Sequence, residues 1–361
     1  MCGRVSRNLL DYKCPSCGKP LDIKLNLPFE KGKIVKKERS LWRYKKYFPY
    51  VKNADVITLG EGWTPLVKFS DNIYFKLENL NPTGSFKDRG SATLISALYS
   101  RISKINGYVC EDSSGNAGAS IAAYSARAAL KARIYVPETV SGPKYRQICF
   151  FGADVVKVSG SRSRVAEEAQ KSECGKCYVG HILHPLFRDG IRSLAYEIAE
   201  QFDWHVPECV FLPVSAGTLL LGVIEGFKHM VDSDVIASMP RIVACQTRQV
   251  SPLFHRLKGL QYMPPREVSS VADALVSTNP PLLELMFEKL QSAEGDAVMV
   301  EEKEIIDAFR ELAVKGFFVE PSSAVAYAGC KKQLENEKLL KHEKTVVILT
   351  GNGLKSEPKL N

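Results

Sequence analysis

The chain lacks any long uninterrupted apolar run. Its longest apolar region, residues 209–227, is broken by Pro213, Ser215, Gly217 and Gly222, which makes it a poor bilayer span. The amino terminus is no richer, because Arg4, Arg7 and Asp11 interrupt it before a signal-peptide core develops. These absences predict a cytoplasmic protein with no membrane partner. No internal repeat or low-complexity tract is evident either. The most basic stretch, residues 31–43, lacks the interleaved aromatics and glycines of a single-strand-binding surface, so no nucleic-acid partner is expected.

What is present is an ordinary soluble composition. With 361 residues, 45% hydrophobic and 25% charged, the chain is long enough for two domains. The formal charge of +9 suits an anionic metabolite or simple solubility. Ten cysteines without a secretion signal read as thiols or metal ligands rather than a disulfide framework. Cys14-Pro15-Ser16-Cys17-Gly18 has the turn that lets two sulfurs meet one tetrahedral ion. Cys174 and Cys177 sit in a polar turn with no further ligands nearby in sequence, and their spacing reads as incidental.

Short β-branched runs alternate with stretches of helical period, the pattern of an α/β protein with mostly parallel sheets. Strands are predicted over residues 73–77, 107–110, 133–136, 155–158, 210–213, 242–245 and 346–349, and helices over 88–100, 119–129, 191–201, 219–227 and 303–314. Residues 251–300, with Pro264-Pro265 and Pro280-Pro281, are the least regular part and suggest a substrate-facing loop or an interface.

One lysine stands out chemically. Asn81-Pro82-Thr83-Gly84-Ser85-Phe86-Lys87-Asp88-Arg89-Gly90 sets Lys87 at a turn-to-helix junction, where the positive helix end and partial burial favour the neutral, nucleophilic amine. Taken alone, Ser85-x-x-Asp88 is equally a helix cap. Three further segments carry a resemblance. Leu59-Gly60-Glu61-Gly62-Trp63-Thr64-Pro65-Leu66, Ser113-Ser114-Gly115-Asn116-Ala117 and Thr350-Gly351-Asn352-Gly353-Leu354-Lys355, together with the lysine motif, resemble the tryptophan-synthase-β family of pyridoxal-phosphate enzymes. With Trp42-Arg43-Tyr44, they most closely resemble its threonine synthases. The similarity runs in order through residues 14–355.

The resemblance implies an α/β fold of type II: two parallel-sheet, three-layer domains plus a short zinc-ribbon-like segment at residues 1–35. Residues 36–90 and 185–361 would form the large cofactor-binding domain, and 91–184 a small domain that moves over the substrate. A homodimer is expected. Such threonine synthases often carry a second cysteine pair ahead of the first, and here Cys2-Gly3 is what remains of it. Three thiols make an incomplete site, so no bound metal is expected. Either a fourth ligand precedes Met1, or the turn survives as a scaffold without metal.

A pyridoxal phosphate site needs an amine, a phosphate cradle, partners for the ring nitrogen and phenolic oxygen, and a clamp for the substrate carboxylate. The resemblance assigns Lys87 as the amine and proton carrier, with Phe86 packing on the ring. Ser215, Ala216, Gly217, Thr218 and Leu219 form a strand–turn–helix that aims N–H groups at an anion. Asn116 takes the phenolic oxygen, and Ser113, Ser114 and Gly115 the substrate carboxylate. Thr350 faces the pyridine nitrogen, where a hydroxyl leaves that nitrogen largely unprotonated. Glu320-Pro321-Ser322-Ser323-Ala324 shapes the pocket near the ring or simply caps a helix.

The chain departs from the family at residues 180–190, Gly-His-Ile-Leu-His-Pro-Leu-Phe-Arg-Asp-Gly. There the threonine synthases grip substrate phosphate with an Asn-Ser pair and an arginine after Asn-Pro. Here those polar residues are replaced and the arginine, Arg188, comes one position late; His181, His184 and Arg188 are the candidates left. The expected reaction is conversion of O-phospho-L-homoserine and water to L-threonine and phosphate. Its rivals are cysteate synthesis from O-phosphoserine and dehydration of serine or threonine. A binding module on an inactive scaffold is the non-enzymatic alternative.

Overall fold

The computed structural model of the protein describes residues 2–105, 107–171 and 177–357. In chain order its elements are β1 (Leu66–Lys68), β2 (Ile73–Leu77), α1 (Lys87–Ile102), β3 (Tyr108–Glu111), α2 (Asn116–Arg127), β4 (Lys131–Pro137), α3 (Pro143–Phe150), β5 (Asp154–Val158), α4 (Arg162–Lys171) and α5 (Pro185–Ile191). They continue with α6 (Ser193–Gln201), β6 (Cys209–Pro213), α7 (Thr218–Val231), β7 (Arg241–Thr247), α8 (Pro252–Leu257), α9 (Leu283–Ser292), β8 (Asp296–Val300), α10 (Glu302–Val314), α11 (Pro321–Glu335) and β9 (Thr345–Leu349).

These elements make two compact units. One comprises Met1–Leu27, Gly32–Gly62 and Asn81–Ile191; the other comprises Pro28–Lys31, Trp63–Leu80 and Arg192–Asn361. The first unit carries a three-stranded parallel sheet in the order β3-β4-β5. The second carries a six-stranded sheet, β1-β2-β9-β6-β7-β8, in which β1 is an antiparallel edge and the other pairs are parallel. The predicted strands are all there, shifted by a residue or two at most of their ends. β1 and β8 add to them.

Parallel strands covered on both faces need continuous apolar sequence rather than alternation. β6 (Cys-Val-Phe-Leu-Pro) and β9 (Thr-Val-Val-Ile-Leu) are such runs, and every residue of each is buried. Phe75, Phe211, Val243, Val298 and Val347 of the second unit's sheet pack with Phe309, Ala324 and Tyr327 of α10 and α11 in one core. α11 is built from small residues and buried from Pro321 through Cys330, so it shows no apolar stripe to read from sequence. The helix predicted over 191–201 is α6, which begins two residues later at Ser193, while a separate helix, α5, ends at Ile191. Residues 251–300 are more regular than expected and contain α8, α9 and β8, leaving 258–282 without helix or strand.

The second unit also buries an ion pair. Lys76 Nζ lies 2.9 Å from Glu197 Oε2 with neither side chain exposed. The ammonium also donates to Thr64 O at 2.7 Å and Gln201 Oε1 at 2.8 Å, while Glu197 Oε1 accepts the Trp63 N–H at 2.7 Å.

In the amino-terminal segment a tight turn is closed by Cys14 N–H to Lys19 O (2.8 Å) and Gly18 N–H to Cys14 O (2.9 Å). It brings the sulfurs of Cys2, Cys14 and Cys17 within 4.8 Å of one another. Of the second Cys-x-x-Cys pair, Cys177 is buried and Cys174 lies outside the described residues. No described helix is long and apolar enough to cross a membrane.

Candidate active site

Lys87 is the first residue of α1, where the helix's free N–H groups concentrate positive potential. Its side chain is half-buried, with Nζ 4.5 Å from the centre of the Phe86 ring and 5.9 Å from that of Phe187. The turn before it is held by Asp88, whose fully buried carboxylate accepts Thr83 N–H (2.7 Å), Thr83 Oγ1–H (2.6 Å) and Ser120 Oγ–H (2.6 Å). Three donors to one carboxylate fix the turn against α2. The simple capping alternative does not describe this junction, because the capping position falls on Phe86, which makes no side-chain cap bond. Ser85 Oγ is buried without a hydrogen-bond partner among the described residues. A buried hydroxyl left unmatched costs about 1–3 kcal/mol, which marks the place as one suited to a polar ligand.

Ser113, Ser114 and Gly115 lead from β3 into α2, whose first residue is Asn116, and all four are half-buried. The loop is closed internally by Gly115 N–H to Ser113 Oγ at 3.2 Å. It also lies hard against its own helix: a methyl group on Gly118 would stand 1.8 Å from Ser113 O, so only glycine permits this approach.

Beside the loop is a buried polar group that the sequence did not announce. His181 donates its backbone N–H to Glu111 Oε2 (2.9 Å) and sets Nδ1 2.9 Å from Glu111 Oε1. Asp112 accepts Tyr178 OH at 2.6 Å and pairs with Arg162 at 2.6 Å. Burial and the adjacent Asp112 hold Glu111 well above the usual carboxylate range. Burial and the charge of Lys87 push His181 well below its ordinary value, so the ring is neutral. His184, buried beside the Arg188 guanidinium, is driven down to about 3 and is neutral as well.

Arg188 lies in α5 and is buried. Its Nη1 donates to Ile182 O and Leu183 O, each at 3.0 Å, and its Nη2 donates to Leu21 O. The guanidinium thus ties together the turn ahead of α5 and the amino-terminal segment. His181 and Arg188 belong to the same short stretch yet are engaged by different partners.

The second unit holds the remaining candidates. β6 ends at Pro213, and α7 starts at Thr218 behind Gly217, which adopts φ +93° in the left-handed region. Ser215 and Ala216 are half-buried, whereas Gly217, Thr218 and Leu219 are buried. A left-handed residue opening a 14-residue helix directs the first N–H groups toward one point, the geometry that receives an anion. No acidic side chain occupies the first turn of α7 to oppose that charge. Ser215 Oγ accepts the Ser277 N–H at 3.4 Å.

Thr350 follows β9, the strand hydrogen-bonded to β6, so the turn after β6 and Thr350 both lie at carboxyl ends of parallel strands, where α/β sheets take their ligands. Its Oγ1 is 2.9 Å from Ser323 Oγ in the first turn of α11. Glu320 precedes that helix, and its N–H donates to Gly351 O at 2.8 Å. The sequence pointed to the segment 320–324 and to Thr350 separately. Their contact joins residues 27 apart and depends on how α11 packs on the sheet.

Each unit by itself offers part of what a phosphorylated aldehyde cofactor needs: in the first an unmatched buried hydroxyl stands two residues from a helix-opening lysine, and in the second a left-handed glycine opens a helix whose first turn is free of acids. This is the class of parallel α/β enzymes of fold type II. Residues 57–351 match the sequence model of the family described as pyridoxal-phosphate dependent enzymes, and the chain belongs to that family. It is 32% identical to the threonine synthase of Methanocaldococcus jannaschii over 95% of this chain and 88% of the relative. It is 29% identical to the threonine synthase of Methanosarcina acetivorans, over 98% and 90%. Among solved structures, the processed form of threonine deaminase isoform 2 from Solanum lycopersicum is similar with a TM-score of 0.71 at 24% identity, covering 94% of both chains. Maize serine racemase is similar with a TM-score of 0.67 at 22% identity, over 80% of this chain and 88% of that one. Those two likenesses speak for the fold alone.

Proposed function

We propose that the chain is a carbon–oxygen lyase of the threonine synthase type, which converts O-phospho-L-homoserine and water to L-threonine and phosphate. The observation that carries this reading is the near full-length similarity to the Methanocaldococcus jannaschii threonine synthase. In this reading the backbone N–H groups of Ser215 to Leu219 hold the cofactor phosphate, Thr350 meets its ring nitrogen, and Asn116 its phenolic oxygen. When bound, the cofactor supplies an electron sink for the carbanions formed on the substrate. Ser113, Ser114 and Gly115 hold the substrate carboxylate with N–H and hydroxyl donors. Lys87 Nζ takes and returns protons at the substrate's Cα and Cβ, and Phe86 and Phe187 limit the water that reaches it. Phosphate departs from Cγ and water adds at Cβ.

Purified protein loaded with pyridoxal phosphate should be yellow, and borohydride should fix the cofactor on Lys87, as read by peptide mass. A colourless protein, or Lys87→Ala still labelled by the same treatment, would overturn the enzymatic reading.

One observation favours a second substrate class. Arg188, the nearest match to the family's phosphate grip, spends its Nη groups on the carbonyls of Ile182, Leu183 and Leu21, which suits a hydroxy-amino acid with no phosphate. Offering O-phosphohomoserine, O-phosphoserine with sulfite or sulfide, serine and threonine in turn separates the readings. Threonine and phosphate from the first alone support the synthase; deamination of serine or threonine supports a dehydratase.

A further inference from the structure

Thr350 is assigned above to the ring nitrogen, yet a hydroxyl can serve a nitrogen in two opposite ways. It can donate its proton to a neutral pyridine, or offer a lone pair to a protonated one. Which it does is set by whatever else bonds to it. That partner is Ser323, fully buried in the first turn of α11, with Oγ 2.9 Å from Thr350 Oγ1.

The bonds around Ser323 can be counted. Its Oγ accepts the Gly351 N–H at 2.7 Å, which occupies one lone pair. Its single proton then has two acceptors in reach, Thr350 Oγ1 at 2.9 Å and Gly351 O at 3.2 Å. The carbonyl is the weaker claimant, since it is farther away and already accepts the Glu320 N–H at 2.8 Å. The peptide cannot easily swing to improve that contact, because the Glu320 carboxylate packs directly on Gly351. Either oxygen of the Ser323–Thr350 pair can donate, and the shorter distance favours a Ser323 proton directed at Thr350. With a lone pair filled by Ser323, Thr350 has its own proton left to give.

We propose that Ser323 is a positioning residue that fixes Thr350 as a hydrogen-bond donor, so that the site selects a cofactor whose ring nitrogen is unprotonated. The inference rests on the assignment of Thr350 to the ring nitrogen made above. It adds the residue that determines the direction of that bond. An unprotonated ring withdraws electrons less strongly, which suits elimination and replacement better than transamination.

The test uses two cofactors, pyridoxal phosphate and its carbocyclic analogue with C–H in place of the ring nitrogen. Each is titrated by fluorescence into the apo forms of the wild type, Ser323→Ala, Thr350→Val and the double variant. Losing the orientation of one neutral hydrogen bond should weaken pyridoxal phosphate about fivefold in Ser323→Ala, with little change for the analogue, which has no nitrogen to address. The visible band of bound pyridoxal phosphate should move in this variant and the analogue's band should not. In the Thr350→Val background, the Ser323 substitution should add no further selective loss. Equal weakening of both cofactors by Ser323→Ala, or none, with a selective loss in Thr350→Val, overturns the positioning role and leaves the Thr350 assignment standing. Absence of a selective loss in Thr350→Val overturns that assignment and the inference with it. Should the alanine variant not fold, Ser323→Cys keeps the volume, weakens the donor, and gives the same comparison.

Discussion

Glu61 has no exposed surface and sits where three donors converge, Thr58 Oγ1–H at 3.1 Å, Leu59 N–H at 2.9 Å and Tyr124 OH at 2.6 Å. Burial nevertheless pushes it up to about 7 from an ordinary 4.5, against the pull of the Tyr124 and Leu59 bonds and helped by nearby Asp88. A carboxyl raised in the folded state binds its proton more tightly there than in the unfolded chain. Its contribution to stability is therefore complete below about 4.5, declines as pH rises, and is gone above about 7. Urea midpoints should fall between about pH 4.5 and pH 7 more steeply in the wild type than in Glu61→Gln, which has no proton to lose. Parallel slopes would show that Glu61 does not titrate in this window. Arg188 calls for a different measurement. Replacing it by alanine strips donors from three carbonyls, and the unfolding free energy should fall by about 3 kcal/mol or more. A variant of unchanged stability that has lost turnover only with phosphorylated substrates would instead mark Arg188 as a phosphate ligand.

At the scale of elements, the approach of the Ser113–Asn116 loop to α2 is the contact most sensitive to a single methyl. Gly118→Ala places a carbon 1.8 Å from Ser113 O, and backbone cannot yield as a side-chain tip does. The loop must lift, at a cost of about 1–3 kcal/mol, and substrate affinity should suffer more than cofactor affinity, because Ser113 to Gly115 are assigned to the carboxylate. A KM rise of tenfold or more at unchanged cofactor Kd is the expected result. The elements legible in the sequence were those with a one-sided or continuous apolar pattern, such as β2, β6, β9, α1 and α10. α11 escaped because its small residues are buried on every side, and β1 because three residues carry too little pattern. The positions of Lys87 and Thr350 at element ends were readable from their motifs. The Ser323–Thr350 and Glu111–His181 contacts were not, since packing rather than spacing joins residues 27 and 70 apart.

Across the whole molecule, a positive excess coexists with a buried ion pair, Lys76–Glu197, that is bonded to Thr64, Gln201 and Trp63 of its own unit. Lys76→Met would take the ammonium from a Glu197 carboxylate held in the interior, and breaking a buried pair in this way costs about 3–5 kcal/mol. Converting Glu197 to Leu in the same chain should restore part of it. Thermal melts of the single and double variants would check the sign, and a double variant no better than the single would refute the account.

The order of strands in the larger sheet has a consequence in time. β9, the last strand among the described residues, lies in the middle of its sheet with β2 on one side and β6 on the other. Ile73 can meet its partner Thr345 only after the more than 270 residues between them have left the ribosome. Until then β2 and β6 each present a bare row of backbone donors and acceptors, and the nascent protein depends on protection from other chains. Thr350 comes immediately after the strand that closes this gap. A chain interrupted before residue 345 would thus be missing Thr350 as well as the centre of its sheet, and incomplete synthesis yields no half-working enzyme.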